Sequence, residues 1–299
     1  MPASSSIPSY WVDSFAGTSV GTTAVTTTLN AGNNYIVPGK ARSIVALRPK
    51  AYILEPTADV ALLASLNVIS KDLGLGPYEV FCQSGDAGLG TTESFSMDES
   101  IWYPANWACG GGEQITFQGT AEIANAAGLW ESLDILLSDT VNAPMPGFLS
   151  WWNTQLDLNL PVQAKVGGLV EGSGPTATSA TAAVQAQDSG TYISGVPKYL
   201  KALYGALVET TPAADKPFAG YFQAYEPSLA INPQTFYAEP INGLLGTTTA
   251  NNMTRITRYE GLLNLFVKAP AHIFGRFFLD QTVSTAGKFE LGYLFQDQS

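Results

Sequence analysis

One stretch of this chain occurs twice. Residues 46–81 read ALRPKAYILEPTADVALLASLNVISKDLGLGPYEVF, and 156 positions on, residues 202–237 read ALYGALVETTPAADKPFAGYFQAYEPSLAINPQTFY, with no gap. The identical pairs are Ala46/Ala202, Leu47/Leu203, Pro56/Pro212, Ala58/Ala214, Asp59/Asp215, Leu73/Leu229 and Pro77/Pro233. Apolar residues replace apolar ones at Leu62/Phe218, Leu66/Phe222, Leu75/Ile231, Val80/Phe236 and Phe81/Tyr237. Outside this window the echo continues with drifting offsets, as loop insertions and deletions produce. Tyr35-Ile36 answers Tyr192-Ile193 at 157 and Tyr103 answers Tyr259 at 156. Ile115, Phe117, Ala121 and Ile123 answer Leu265, Val267, Ala271 and Ile273 at 150, and residues 127–131 answer 286–290 at 159. Two copies are too few for a solenoid, which needs at least three. The chain therefore reads as one domain fold duplicated.

Each copy is built of short β-branched and alternating segments bounded by Gly, Pro, Asn and Asp. In the first, the pattern predicts strands over 22–29, 35–37, 42–54, 61–69, 78–82, 100–103, 114–123 and 129–137. Segments 61–69 and 129–137 also carry helix-compatible apolar spacing, but turns bound both and no capping box precedes either, which favours strand. In the second, strands are expected over 180–185, 192–194, 199–209, 218–225, 235–238, 255–259, 262–268, 271–279 and 288–295. Turn signals at this spacing are those of a β-sandwich or barrel. The expected division is an N-terminal arm (1–17), a first barrel (18–140), a connector (141–175) and a second barrel (176–299). Tyr10, Trp11 and Phe15 make the arm too apolar to float, so it docks either on a partner or on its own domain. Phe148, Trp151 and Trp152 predict that the middle of the connector is packed, as a short helix.

Charge is scarce, at 13% of residues against a usual ~25%. The surface is covered instead by Ser, Thr, Asn, Gln and Gly, or buried against other subunits. A net charge of −11 with no Lys/Arg cluster argues against direct nucleic-acid binding. Residues 1–17 have neither a basic n-region nor an apolar h-region, and no stretch approaches the ~20 apolar residues of a membrane-spanning helix. The expectation is a product of a cytoplasm. Cys82 and Cys109 are no disulfide framework; they are read as free thiols or as a bridge between adjacent strand ends.

Chemistry-bearing patterns are few. The one histidine, His272, cannot make a His-rich metal site within one subunit, and beside Ile273 and Phe274 it reads as a core or edge residue. Gly17-Thr18-Ser19-Val20-Gly21 matches the nucleophile-elbow spacing, but that motif needs a buried strand before it and a helix after it. Asp59/Asp215 and Glu131/Glu290 offer paired carboxylates of the kind glycoside hydrolases use; their recurrence in both copies favours structural positions. No cofactor, no metal and no enzymatic activity are expected.

Two similar eight-stranded copies with scarce charge describe a building block. The blocks 35–81 and 192–237, with closing strands 115–137 and 265–295, resemble the double jelly-roll major capsid proteins of the adenovirus hexon and tectivirus lineage. The resemblance is architectural and spans about residues 18–296. It implies an all-β chain of two tandem eight-stranded jelly-roll barrels, and a homotrimeric, pseudo-hexagonal capsomer in the capsid of an icosahedral virion assembled in host cytoplasm. The implied partners are further copies of the chain, other capsid or vertex proteins, and an internal membrane. Tyr10, Trp11 and Phe15 would then be assembly contacts, as would Trp151 and Trp152. The rival reading is a two-module carbohydrate-binding or adhesin-like β-sandwich, with Trp102, Tyr103 and Trp107 exposed as a sugar platform; a β-sandwich hydrolase stands third.

Overall fold

The computed structural model describes residues 7–19, 25–28, 35–56, 61–70, 75–86, 102–122, 126–166, 184–187, 191–193, 195–208, 216–226, 234–245, 257–258, 264–268, 270–279 and 288–298. Among them the regular structure is all β apart from one 3-10 helix. The first half contributes β1 (Tyr10–Ser19), β2 (Val25–Thr28), β3 (Tyr35–Ile36), β4 (Ser43–Pro56), β5 (Ala61–Ser70), β6 (Leu75–Asp86), β7 (Tyr103–Ala108), β8 (Gln114–Glu122) and β9 (Ala126–Ser138). The 3-10 helix Gly147–Thr154 follows. The second half contributes β10 (Gln163–Val166), β11 (Val184–Gln187), β12 (Thr191–Ile193), β13 (Lys198–Val208), β14 (Lys216–Glu226), β15 (Gln234–Leu245), β16 (Thr257–Arg258), β17 (Leu265–Val267), β18 (Ala271–Leu279) and β19 (Lys288–Asp297). Segments 61–69 and 129–137, ambiguous by spacing, are strands, because paired neighbours rather than propensity decide short apolar runs.

The two halves share one strand order. In the first, one sheet runs β1-β9-β4-β7 and the other β2-β8-β5-β6, with β3 continuing the β2 course along β8. In the second, β10-β19-β13-β16 and β11-β18-β14-β15 repeat these orders, with β17 and β12 as the broken continuations of β16 and β11. Every pairing among the described strands is antiparallel, and consecutive strands often lie in different sheets, so the halves are built from long-range pairs.

Register tests the duplication residue by residue. The β4–β9 ladder shifts between Ile44 and Ala46, and the β13–β19 ladder shifts between Leu200 and Ala202. The irregularity thus recurs at the 156-residue offset, with Val45 and Lys201 as the extra residues. Leu66 and Phe222 also hold equivalent places, opposite Gly119 and Phe277. The offset then changes. Leu66 faces Val80, whereas Phe222 faces Glu239, so the next strand is displaced by 159. The ungapped match over 73–81 is therefore not structural, because the connection between β14 and β15 is three residues longer than that between β5 and β6. The 150-residue alignment also fails. Ile115 faces Tyr35 as Ile273 faces Thr191, an offset of 158, while Leu265 faces Leu200 as Trp107 faces Ile44.

Two boundaries differ from expectation. Residues 10–17, expected within an arm, lie in β1, paired along its whole length with β9 from Tyr10↔Ser138 to Ser19↔Leu129. An alternating segment beside an open β9 edge satisfies its backbone groups better as a strand than in water. Residues 163–166, expected within the connector, form β10 and pair with β19 from Gln163↔Phe295 to Val166↔Gly292. The cue for a boundary there is Pro161, which cannot donate to a ladder and stands just ahead of the strand.

One buried apolar cluster joins the halves. It gathers Ile44, Leu47, Tyr78, Trp107, Ile135 and Leu137 of the first with Val162, Ala164, Ala202 and Leu294. Across the same junction Lys165 Nζ lies 3.4 Å from Glu79 Oε1, linking β10 to β6.

The β7–β8 turn is pinned on the turn before β4. Gly112, at φ +92°, donates its N–H to Val37 O at 2.8 Å, and Val37 donates to Glu113 O at 2.9 Å. Gly111 sits so close that a Cβ there would lie 2.3 Å from Gly39 Cα and 2.9 Å from Gly39 O. Both partners are backbone, so neither can rotate away. Gly111→Ala is expected to cost ~1–3 kcal/mol, the usual penalty of overpacking. Chemical denaturation checks this, and a variant as stable as the parent would show that the two turns separate freely.

Candidate functional site

The face around the start of β1 and the end of β9 collects the residues singled out in the sequence. Tyr10 and Trp11 are part-buried and pack against the core cluster. The Tyr10 hydroxyl donates to Pro144 O at 2.6 Å, and Lys40 Nζ lies 4.3 Å from the centre of the Trp11 ring. Ser9 N donates to Asp139 Oδ1 at 3.0 Å. These residues dock on their own chain. Phe15 is placed by its backbone opposite Leu133. Large apolar side chains left in solvent among the described residues include Ile7 at 90% exposure, Val12 at 47%, Ile36 at 50% and Val141 at 52%.

The connector is packed, as expected. Trp152 is buried in the cluster and Trp151 lies partly buried against it. Phe148 on the same helix stays 53% exposed and approaches Trp102, with ring centroids 6.0 Å apart. The Arg48 guanidinium lies 4.7 Å from the centre of the Trp102 ring. Tyr103 and Trp107, the other members of the expected sugar platform, are 2% and 1% exposed. Residues 103–107 are buried on both faces of β7, so neither ring reaches the surface. The exposed three-aromatic platform is therefore absent from the described surface.

Arg48 also serves a buried carboxylate. Asp134 on β9 is 4% exposed. It accepts from Ser14 Oγ at 2.7 Å and from Arg48 Nε at 2.8 Å, with Lys50 Nζ at 3.0 Å. Burial works to raise its pKa, but the hydrogen bonds from Ser14, Arg48 and Lys50 outweigh that and hold it below the usual carboxylate value. A carboxylate depressed in the folded state stabilises fully above its unfolded pKa of ~3.9, and that contribution is lost as pH falls through the folded value. Asp134→Asn is expected to be less stable than the parent at neutral pH, with the gap closing below about pH 4. Denaturation midpoints across pH 7 to 2 check this; parallel curves would show that Asp134 is not the titrating group.

The groups considered for catalysis are placed by their strands. His272 lies on β18 opposite Tyr192. Ser19 is the last residue of a β-strand, opposite Leu129. Glu131 stands opposite Ala51 and Glu290 opposite Ala206. By the β9-to-β19 offset of 158, set by Leu136 and Leu294, Glu131 answers Phe289, so the two glutamates are not equivalent. Asp59 and Asp215 lie outside the described residues. Cys109 is a free, buried thiol, pushed up to about 12 by burial and by Glu113, with Arg42 opposing. No His/Cys/Asp/Glu group able to hold a metal occurs among the described residues.

Sequence reasoning missed two buried amides that organise the connector. Asn106 Nδ2 donates to Leu158 O at 2.9 Å and to Leu160 O at 2.8 Å. Gln296 Nε2, on β19, donates to Asp157 O at 3.0 Å and to Leu160 O at 2.8 Å, while its Oε1 accepts from Asp157 N at 2.9 Å. One amide from each half thus grips the connector between Asp157 and Leu160, and both bond to Leu160 O. Neither residue stands in a motif, and only the fold brings them within reach of the connector.

No family model matches the chain, and no curated protein does. Several solved structures show a faint likeness. The CBM22-1–CBM22-2 tandem domain of Paenibacillus barcinonensis Xyn10C is similar over 99% of this chain and 94% of that one, at 8% identity and a TM-score of 0.21. A structure of the Gx strain of infectious bursal disease virus is similar over 96% and 76%, at 8% identity and a TM-score of 0.24. The Macrobrachium rosenbergii nodavirus structure is similar over 99% and 94%, at 8% identity and a TM-score of 0.18. Likeness at this level describes other proteins and carries no argument about this one.

Proposed function

We propose that the chain is a structural capsid protein whose two halves are tandem eight-stranded jelly-roll barrels. The observation that carries this reading is the repeated strand order, with its irregularity at the same offset in β4 and β13. A chain holding two barrels of one topology supplies two similar lateral faces, and three such chains close a ring of six. A homotrimer with cyclic symmetry follows, since heterologous contacts either close or run on as filaments. The exposed Ile7, Val12, Ile36 and Val141 suit contacts between copies, as does a surface poor in charge, because desolvating charges at extensive contacts is costly. On this reading the protein resides in the virion, meets further copies, other capsid or vertex proteins and an internal membrane, and does not touch the genome.

Light scattering on the purified full-length protein tests this. A species of three times 31.7 kDa, or larger particles in negative stain, is the expected result. A stable monomer across micromolar concentrations would overturn it, and glycan-array binding by that monomer would favour the carbohydrate-binding module instead.

A further inference from the structure

The irregular position shared by the two halves holds different chemistry. In β4 it is Val45, 1% exposed; in β13 it is Lys201, 8% exposed. A lysine is seldom buried without an ionic partner, yet Lys201 forms no ion pair among those present between described residues. Its Nζ instead donates to the side-chain carbonyl of Asn264 at 2.7 Å and lies 5.2 Å from the centre of the Tyr199 ring. Asn264, itself exposed, immediately precedes β17, which pairs with β13 at Leu200↔Leu265, so the ladder holds the amine of β13 beside a carboxamide at the entry to β17. Burial lowers the pKa of Lys201, with Asp157 opposing, which enlarges the share of neutral, nucleophilic amine.

The geometry points to an intramolecular isopeptide cross-link between Lys201 and Asn264. The Nζ lone pair attacks the Asn264 side-chain carbonyl carbon and forms a C–N bond. A proton passes from Nζ to Nδ2. The bond from that carbon to Nδ2 breaks and ammonia leaves. The product is a secondary amide, no electrons are gained or lost, and no co-reactant is consumed. Held positioning of this kind is what makes an otherwise slow amide exchange accessible. The link ties β13, at its irregular position opposite β19, to the segment entering β17. It does not depend on the capsid reading, since it concerns two side chains of one chain.

Mass spectrometry of the full-length protein, intact and after trypsin, decides the matter. The expected result is a mass short of the sequence by one ammonia and a branched peptide joining the Lys201 and Asn264 segments, with no cleavage after Lys201. Lys201→Met and Asn264→Ala each restore linear peptides. A wild-type protein at full sequence mass, cleaved after Lys201 and with Asn264 intact, overturns the cross-link whether or not the variants fold.

Discussion

Trp107→Ala is expected to destabilise the protein by ~3–5 kcal/mol, the cost of emptying a large buried aromatic site. Trp107 is 1% exposed and meets Tyr78 edge-on, with centroids 5.0 Å apart and planes at 88°. Its Nε1 donates to Val162 O at 3.2 Å, and the Tyr78 hydroxyl donates to Pro104 O. The ring therefore binds β7 to β6 and to the residue that opens β10. Its removal leaves a cavity at the junction of the halves and withdraws a donor from Val162. Against a typical total of ~5–15 kcal/mol this is a large fraction. Trp107→Phe, which keeps part of the ring but loses the indole N–H, should fall between the two. Denaturant midpoints measure the series, and a loss under about 1 kcal/mol for alanine would mean that the junction collapses around the gap.

Gln296→Ala should cost about 3 kcal/mol, because it removes three hydrogen bonds to the connector backbone at ~1 kcal/mol each. The amide is 1% exposed, and its orientation is dictated by its neighbours: two carbonyls face Nε2 and one N–H faces Oε1. Asn106→Ala removes two further bonds, and both amides use the carbonyl of Leu160, which has two lone pairs to give. Groups sharing an acceptor couple, so the double variant should depart from additivity by more than ~0.5 kcal/mol. A double-mutant cycle measures that term, and proteolysis of the connector should speed up in step. Additive effects with an unchanged cleavage rate would show that residues 157–160 are held by packing alone.

Much of this architecture was legible because it rests on local pattern. The alternation of apolar residues and the punctuation by Gly, Pro and Asn located strands such as β4, β5, β8 and β9, since side-chain period and turn chemistry act over a few residues. The likeness around Ala46 and Ala202 was legible too, because strands with the same pairing irregularity repeat similar local choices. Tertiary structure alone decided the rest. Whether 10–17 is an arm or the edge strand β1 depends on an open β9 edge more than a hundred residues away in sequence. The true correspondence of closing strands depends on ladder register, which separates Ile115 from Leu265 where composition cannot. Trp107 and Tyr103 are core rather than surface because β7 is covered on both of its faces. The grip of Asn106 and Gln296 on Leu160, and the meeting of Lys201 with Asn264, exist only once distant strands pair, because hydrogen bonding acts over about 3 Å of space and is indifferent to separation along the chain.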